Sequence, residues 1–281
     1  MQNVQFTPPQ LARMLSVNES TVKRWIDRGL LSAERTAGGH RRISRDDLKL
    51  FLQTQKKVRA HSYVLDRLYK GTRESGWRQY YEYHRDYRAK DARTYVTGSL
   101  LACGSVVCVL ETIVRPALME IGAAWKRGDI DIADEHRMTF LIRSDLLALD
   151  AMLPDVSDSA PRAVLACVPE DNHELVLVML AMLAKEAGWQ TTTLGINVPA
   201  REVVRAVEQQ KTKLVALSKV YGHETHIEYV RSIRKSVPSK TCIVTGGSGW
   251  STSEQRSFKR MKHVEHSSSI HEYIARLVLN T

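Results

Sequence analysis

The chain has only four cysteines, Cys103, Cys108, Cys167 and Cys242, and none of them forms a CxxC pair. That argues against a zinc module and a disulfide framework, and it fits reduced thiols buried in apolar runs in a cytosol. The N-terminus lacks a basic region followed by an apolar one, so no secretory signal is expected. Long apolar runs are also missing. The uncharged stretch near Leu100–Leu110 ends at Glu111 and Arg115, too short to cross a bilayer, so the expectation is a soluble, cytoplasmic protein without a membrane partner. Acidic residues are scarce at one end: positions 1–60 hold twelve Lys/Arg against five Asp/Glu in a chain of net charge +10. So concentrated a basic excess suits a polyanion partner. At 281 residues, 43% of them apolar, the chain has material for two or three cores.

The basic end carries a readable pattern. Thr7-Pro8 is a helix start, and Leu11, Met14 and Leu15 supply the inner face of that helix. Ser16-Val17-Asn18 turns the chain into a second helix that ends at Gly29 and carries Thr21, Lys23, Arg24 and Arg28. Two short helices across a tight turn read as helix-turn-helix, the second entering the major groove of double-stranded DNA. Gly38-Gly39 then predicts a hairpin whose His40, Arg41 and Arg42 are placed to meet phosphates, and Ser44 caps a third helix with Leu48, Phe51 and Leu52. This order resembles the winged-helix domain of MerR-family regulators, with Gly-Gly-His-Arg-Arg matching their wing, over residues 1–55 or so. The resemblance implies an operator read by paired copies, hence a homo-oligomer, dimer or tetramer.

Gln53 to Arg59 reads as a linker or a continuing helix. From His61 to Arg93, Trp77, Tyr80, Tyr81, Tyr83 and Tyr87 alternate with charges as in an amphipathic helix. Leu110, Ile113, Val114, Leu118 and Ile121 make an apolar stripe on a further helix. Gly128 should end it, and Asp131 or Asp134 should open another bearing Met138, Phe140, Leu141, Leu146 and Leu149.

Pro154 to Pro161 is a polar, proline-bounded linker. Beyond it strands and helices alternate, which implies βαβ units and a parallel, doubly wound sheet. Ala163 to Val168 is a strand, and Leu175 to Ala187 is a buried helix with Gly188 at its end. His173 therefore lies on a strand-to-helix turn, at the sheet edge where such folds bind ligands. Asp171 is spaced to accept the far N–H of its imidazole and leave the other nitrogen free for a metal. Alone, the segment also fits a capped turn with an exposed His. Thr191 to Leu194 is a second strand, followed by a helix through Val203, Val204 and Val207. Val215-Ala216-Leu217 ends in Ser218-Lys219-Val220, and Cys242-Ile243-Val244 ends in Gly246-Gly247. His223 and His226 either approach a ligand or open a solvated helix, and Ile270 to Leu279 closes the chain as a helix.

Asp-x-His, Ser-x-Val and Gly-Gly, each closing a strand, resemble the cobalamin-binding module of methionine synthase and the mutases over roughly residues 160–281. The resemblance implies His173 as the lower axial cobalt ligand, Asp171, Ser218 and Val220 around it, and Gly246 and Gly247 making room for the nucleotide tail. The family's Gly three residues beyond the His is Val176 here. Upstream, Trp125, nine intervening residues and then Glu135-His136 resemble the light-sensing MerR-type repressors of the CarH/LitR group, in which the Trp and Glu cover an adenosyl group from a four-helix bundle. That implies adenosylcobalamin. In those repressors a His directly after the Trp captures cobalt on illumination. Lys126 stands there, and an ammonium has no lone pair to offer.

The expected fold is multidomain: a winged helix-turn-helix over 1–58, a four-helix bundle cap over 59–155, and a flavodoxin-like (Rossmann-like) α/β cobalamin-binding domain over 160–281. The expected function is a DNA-binding transcriptional repressor controlled by cobalamin, and not an enzyme, since the 281 residues show no substrate barrel and the first 55 read as DNA-binding. The alternative keeps the regulator and gives the C-terminal domain another ligand, such as a different tetrapyrrole, or no cofactor and a controlling partner protein.

Overall fold

In the computed structural model the described residues are 5–54 without 16 and 37, 76–259 without 223 and 224, 261, and 264–267. The chain divides into two compact units, Met1–Pro154 and Asp155–Thr281, so the boundary falls at the proline-bounded linker. The stretch around His61 to Arg73 and the closing helix expected at 270–279 lie outside the described residues.

The first unit opens with β1 (Gln5–Phe6), α1 (Pro8–Met14) and α2 (Glu19–Asp27), followed by β2 (Glu34–Arg35), β3 (Arg41–Ser44) and α3 (Arg45–Thr54). The Thr7 hydroxyl accepts the Gln10 N–H at 3.4 Å to start α1, and the Ser44 hydroxyl accepts the Asp47 N–H at 3.0 Å to start α3, the hydroxyl caps read from the sequence. The strands form an antiparallel sheet of order β1-β3-β2, with Phe6 opposite Ile43 and Arg35 opposite Arg41. Phe6, Leu11, Leu15, Val22, Leu31, Ile43, Leu48 and Phe51 are buried, the apolar stripes of three short helices closing on one another.

Residues 76–150 form helices joined by short turns. α4 is Gly76–Arg85 and α5 is Ala89–Cys103. α6 (Val106–Val109) runs through a π-turn at Leu110–Val114 into α7 (Arg115–Arg127), and α8 is Ile132–Asp150. Gly128 ends α7 at φ 78, a left-handed cap that a Cβ disfavours, and Asp131 caps α8 by accepting the Asp134 N–H at 2.7 Å. The stripe of Leu110, Ile113, Val114 and Ile121 is buried as expected. On α8 the buried side is Met138, Ile142, Asp145, Leu146 and Leu149, whereas Phe140, expected among the apolar set, is 70% exposed. Asp145 accounts for the rotation of that helix. Its carboxylate accepts Tyr80 Oη at 2.9 Å and Arg93 Nε at 2.9 Å and lies 3.2 Å from His84 Nε2, with His84 fully buried. A buried carboxylate with those partners must face inward. Burial first, and then the neighbouring Asp145 charge and hydrogen bond, raise the Tyr80 phenol well above its ordinary pKa.

The second unit alternates β4 (Arg162–Cys167), α9 (Leu175–Glu186), β5 (Gln190–Gly195), α10 (Ala200–Gln210), β6 (Leu214–Ser218), α11 (Ile227–Ser236), β7 (Cys242–Gly246), α12 (Thr252–Phe258) and β8 (Val264–Ser267). The strands pair in parallel in the order β5-β4-β6-β7-β8, a flavodoxin-like order. Residues of β4 alternate between two cores: Ala163, Leu165 and Cys167 join the cluster containing Leu177 and Trp189, and Val164 and Ala166 join the one containing Val203, Val230 and Phe258. α12 and β8 are additions to the expected elements. No helix among the described residues is long and apolar enough to cross a membrane.

Candidate functional site

In this strand order the chain reverses direction between β4 and β6, and the crevice at their carboxyl ends is the place for a ligand. His173 follows β4 and Ser218 ends β6, so the topology brings the two motifs to that crevice. The β4 loop is held by side chains: the Glu170 N–H donates to Asn197 Oδ1 at 2.7 Å, and Asn197 Nδ2 donates to Asn172 Oδ1 at 3.1 Å.

Asp171 is the hub. Its side chain is fully buried, and Oδ1 lies 2.6 Å from His173 Nδ1 and accepts the His173 N–H at 3.1 Å. Oδ2 accepts the Val220 N–H at 2.6 Å, so one carboxylate joins the β4 and β6 loops. Burial works to raise its pKa, but the hydrogen bonds from the His173 ring and the Val220 and His173 backbone outweigh it and hold it below the ordinary carboxylate value. An ionised Asp171 makes Nδ1 the protonated ring nitrogen of a half-exposed imidazole, so Nε2 is the ring atom that would ligate a metal.

Ser218 Oγ is buried and has no hydrogen-bond partner among the described residues. A buried hydroxyl left so costs about 1–3 kcal/mol, which a ligand acceptor or donor would relieve. The residues present fit a cobalamin: an oriented imidazole, a carboxylate behind it and an unsatisfied hydroxyl at the same crevice. Gly247 sits at φ 104, and a Cβ there would come 2.3 Å from the Lys219 carbonyl oxygen. What its missing side chain admits here is the β6 loop. Val176 is half-buried against the core cluster beside β4, so part of its side chain packs inward. Burial pushes the Cys167 thiol up to about 12, with Asp171 and Glu174 adding to it, so this thiol is inert. Of the expected buried cysteines only Cys167 is buried; Cys103, Cys108 and Cys242 are half-buried.

On the basic end, Lys23, Arg24 and Arg28 are exposed on or just after α2, with Thr21 half-buried among them. Lys23 pairs with Glu19 at 2.7 Å. Arg41 forms an ion pair with Asp27 at the end of α2, which ties the hairpin to that helix, while Arg42 is half-buried and His40 exposed at the turn.

The family model described as B12 binding domain matches residues 161–265, and the one described as Helix-turn-helix domain matches residues 6–56. The HTH-type transcriptional repressor CarH of Myxococcus xanthus is 24% identical over 260 residues, 84% of this chain and 86% of CarH. The HTH-type transcriptional repressor CarA of the same organism is 28% identical over 221 residues, 74% of each chain. The chain is thus similar to two HTH-type transcriptional repressors and matches a helix-turn-helix and a B12 binding domain in sequence. A solved monomethylamine corrinoid protein of Methanosarcina barkeri, 13% identical, superposes with a TM-score of 0.58 over 74% of this chain and 99% of its own, a likeness of fold.

The CarH-like helical residues flank one corner. Trp125 is 45% exposed near the end of α7 beside exposed Lys126, and Glu135 and His136 lie in the first turns of α8. Glu135 accepts Thr139 Oγ1 at 3.0 Å, and His136 Nε2 lies 3.6 Å from Glu135. Sequence reasoning missed Asn197, Tyr221 and the Lys219–Glu254 pair. Asn197 alone had a signal, as a polar residue closing the strand beside β4. Of the two histidines near β6, His226 is buried at the start of α11 with its N–H on Glu254, and His223 lies outside the described residues.

Proposed function

We propose that this chain is a DNA-binding transcriptional repressor controlled by cobalamin, with His173 as the lower axial cobalt ligand. The observation that carries the reading is the Asp171 carboxylate, which orients His173 and fastens the Val220 loop beside the unsatisfied Ser218 hydroxyl. Asp171 holds the proton on Nδ1 and so makes Nε2 the ligating nitrogen, Ser218 receives a polar group of the ligand, and Val220, Gly246 and Gly247 shape the floor. When bound, cobalamin supplies a cobalt centre with an exchangeable upper substituent, adenosyl in this reading. Trp125, Glu135 and His136 are assigned to that substituent.

Residues 1–58 are read as a MerR-type winged helix-turn-helix, 59–155 as a four-helix bundle and 160–281 as the sensor. Thr21, Lys23, Arg24 and Arg28 address the major groove, and His40, Arg41 and Arg42 the phosphates. A cytoplasmic homo-oligomer acting as a photoreceptor completes the reading, and the likeness to two HTH-type repressors supports its regulatory part. Titration of the purified protein with adenosylcobalamin, followed by absorption, tests it. Saturable binding with a nitrogen-ligated spectrum that His173→Ala converts to the base-off form is expected. A wild-type protein that retains no cobalamin at any concentration would sink it in favour of another ligand or a partner protein.

A further inference from the structure

Tyr221 is an aromatic residue that is 62% exposed at the carboxyl edge of the sheet, with its ring centroid 6.4 Å from that of His173 and the planes tilted by 51°. The backbone that presents it is held from both neighbouring loops. The Val220 N–H donates to Asp171 Oδ2 at 2.6 Å, Ser248 Oγ donates to the Val220 carbonyl at 3.0 Å, and the Gly249 N–H donates to the Lys219 carbonyl at 2.9 Å. A Cβ at Gly249 would lie 3.0 Å from the Tyr221 nitrogen and 2.9 Å from Lys219 Cγ, so the β7 loop approaches this segment as closely as a glycine permits. The result is a fixed backbone that carries a largely exposed aromatic ring next to an oriented imidazole. Leaving that much ring in water gains nothing from burial. A flat, partly apolar ligand over His173 would recover that area and add offset aromatic packing.

We propose that Tyr221 is a ligand-contacting residue of the cobalamin site, an aromatic wall beside His173 that packs against the lower side of the macrocycle. This inference rests on the cobalamin reading above. The ring, and not the hydroxyl, makes the contact. Because Asp171 holds both His173 and the Tyr221 loop, the wall and the axial nitrogen are set in register by one carboxylate.

The test is the affinity of the full chain for hydroxocobalamin, measured by absorption titration on wild type, Tyr221→Ala, Tyr221→Leu and Tyr221→Phe, with far-UV circular dichroism as the check of fold. Tyr221→Phe should bind within about twofold of wild type. Tyr221→Ala should bind about tenfold more weakly, and Tyr221→Leu in between, each keeping the nitrogen-ligated spectrum that His173→Ala loses. If wild type binds and Tyr221→Ala binds as tightly, Tyr221 does not touch the ligand and this inference falls while the cobalamin reading stands. An equal loss in Tyr221→Phe and Tyr221→Ala would overturn the ring in favour of the hydroxyl. Failure of wild type itself to bind overturns both. Should Tyr221→Ala not fold, the order of the Phe and Leu variants decides.

Discussion

Lys219 and Glu254 form an ion pair with both side chains 2% exposed, Nζ lying 3.2 Å from Oε2, and Lys219 is the residue between Ser218 and Val220. Glu254 also accepts the His226 N–H at 2.8 Å, the Ser251 N–H at 2.8 Å and Ser251 Oγ at 2.9 Å, while the ammonium lies 5.3 Å from the centre of the Trp250 ring. One buried carboxylate thereby fixes the β6 loop, the start of α11 and the cap of α12.

Removing one partner strands the other charge in the interior. Glu254→Gln should lower stability by about 3–5 kcal/mol in urea unfolding, and Lys219→Met combined with Glu254→Gln should recover much of that. A single variant that costs under about 1 kcal/mol would show the pair to be hydrated and the loop held by other means.

Asp171 and Glu254 set the acid limit. Burial raises both pKa values, but the hydrogen bonds each accepts outweigh it, so both lie below the ordinary range when folded. A depressed folded pKa gives stability that is fully present above the unfolded value, near 4, and lost as pH falls through the folded value. Unfolding free energy should therefore drop from about pH 4 downward, and less steeply in Asp171→Asn. The same variant should weaken cobalamin binding by about tenfold to a hundredfold, the usual cost of losing the group behind a metal-binding imidazole. Equal acid slopes in Asp171→Asn and wild type would show that Asp171 is protonated in the folded protein.

The strand ends were legible because each motif is local. An apolar run, a turn and a helix start are read within a dozen residues, and this places Ser218 at the end of β6 and His173 and Gly247 in the loops after β4 and β7. What joins them is not local. The Asp171 bond to Val220 spans 49 positions, and the approach of Gly249 to Tyr221 needs the sheet order. On α8 an apolar-only pattern put Phe140 inside, because Asp145 finds Tyr80 and Arg93 only after the helices pack. α12 escaped notice because its start is a polar capping box, Ser251 with Glu254, on a short helix without an apolar stripe.

At the DNA-reading end, Arg42→Ala should weaken binding to all sequences alike and lower the salt slope by about one for each phosphate the arginine neutralises. Arg41 is tied to Asp27, so its removal loosens the hairpin from α2 as well. Arg41→Ala and Asp27→Ala should then share a change in operator preference that Arg42→Ala lacks. Salt-dependent binding to an operator and to a scrambled duplex would separate the two. An unchanged slope in the Arg41/Arg42 double variant takes the hairpin out of the interface.

Lys126 decides how any response to light ends. The resemblance implies an endpoint in which a histidine after the capping Trp takes the upper cobalt position, and here that position is an exposed Lys at the end of α7. An ammonium offers no lone pair. His136, 74% exposed on α8, belongs to the cap in the resemblance. Illumination of the adenosylcobalamin-loaded protein should therefore leave a water-ligated, readily exchanged cobalamin and no lasting change in assembly. Lys126→His should install the two-nitrogen spectrum and a light-dependent shift on a sizing column. If wild type already gives a stable two-nitrogen spectrum, kept in His136→Ala and abolished in Lys126→Ala, then the lysine itself binds cobalt and this prediction is wrong.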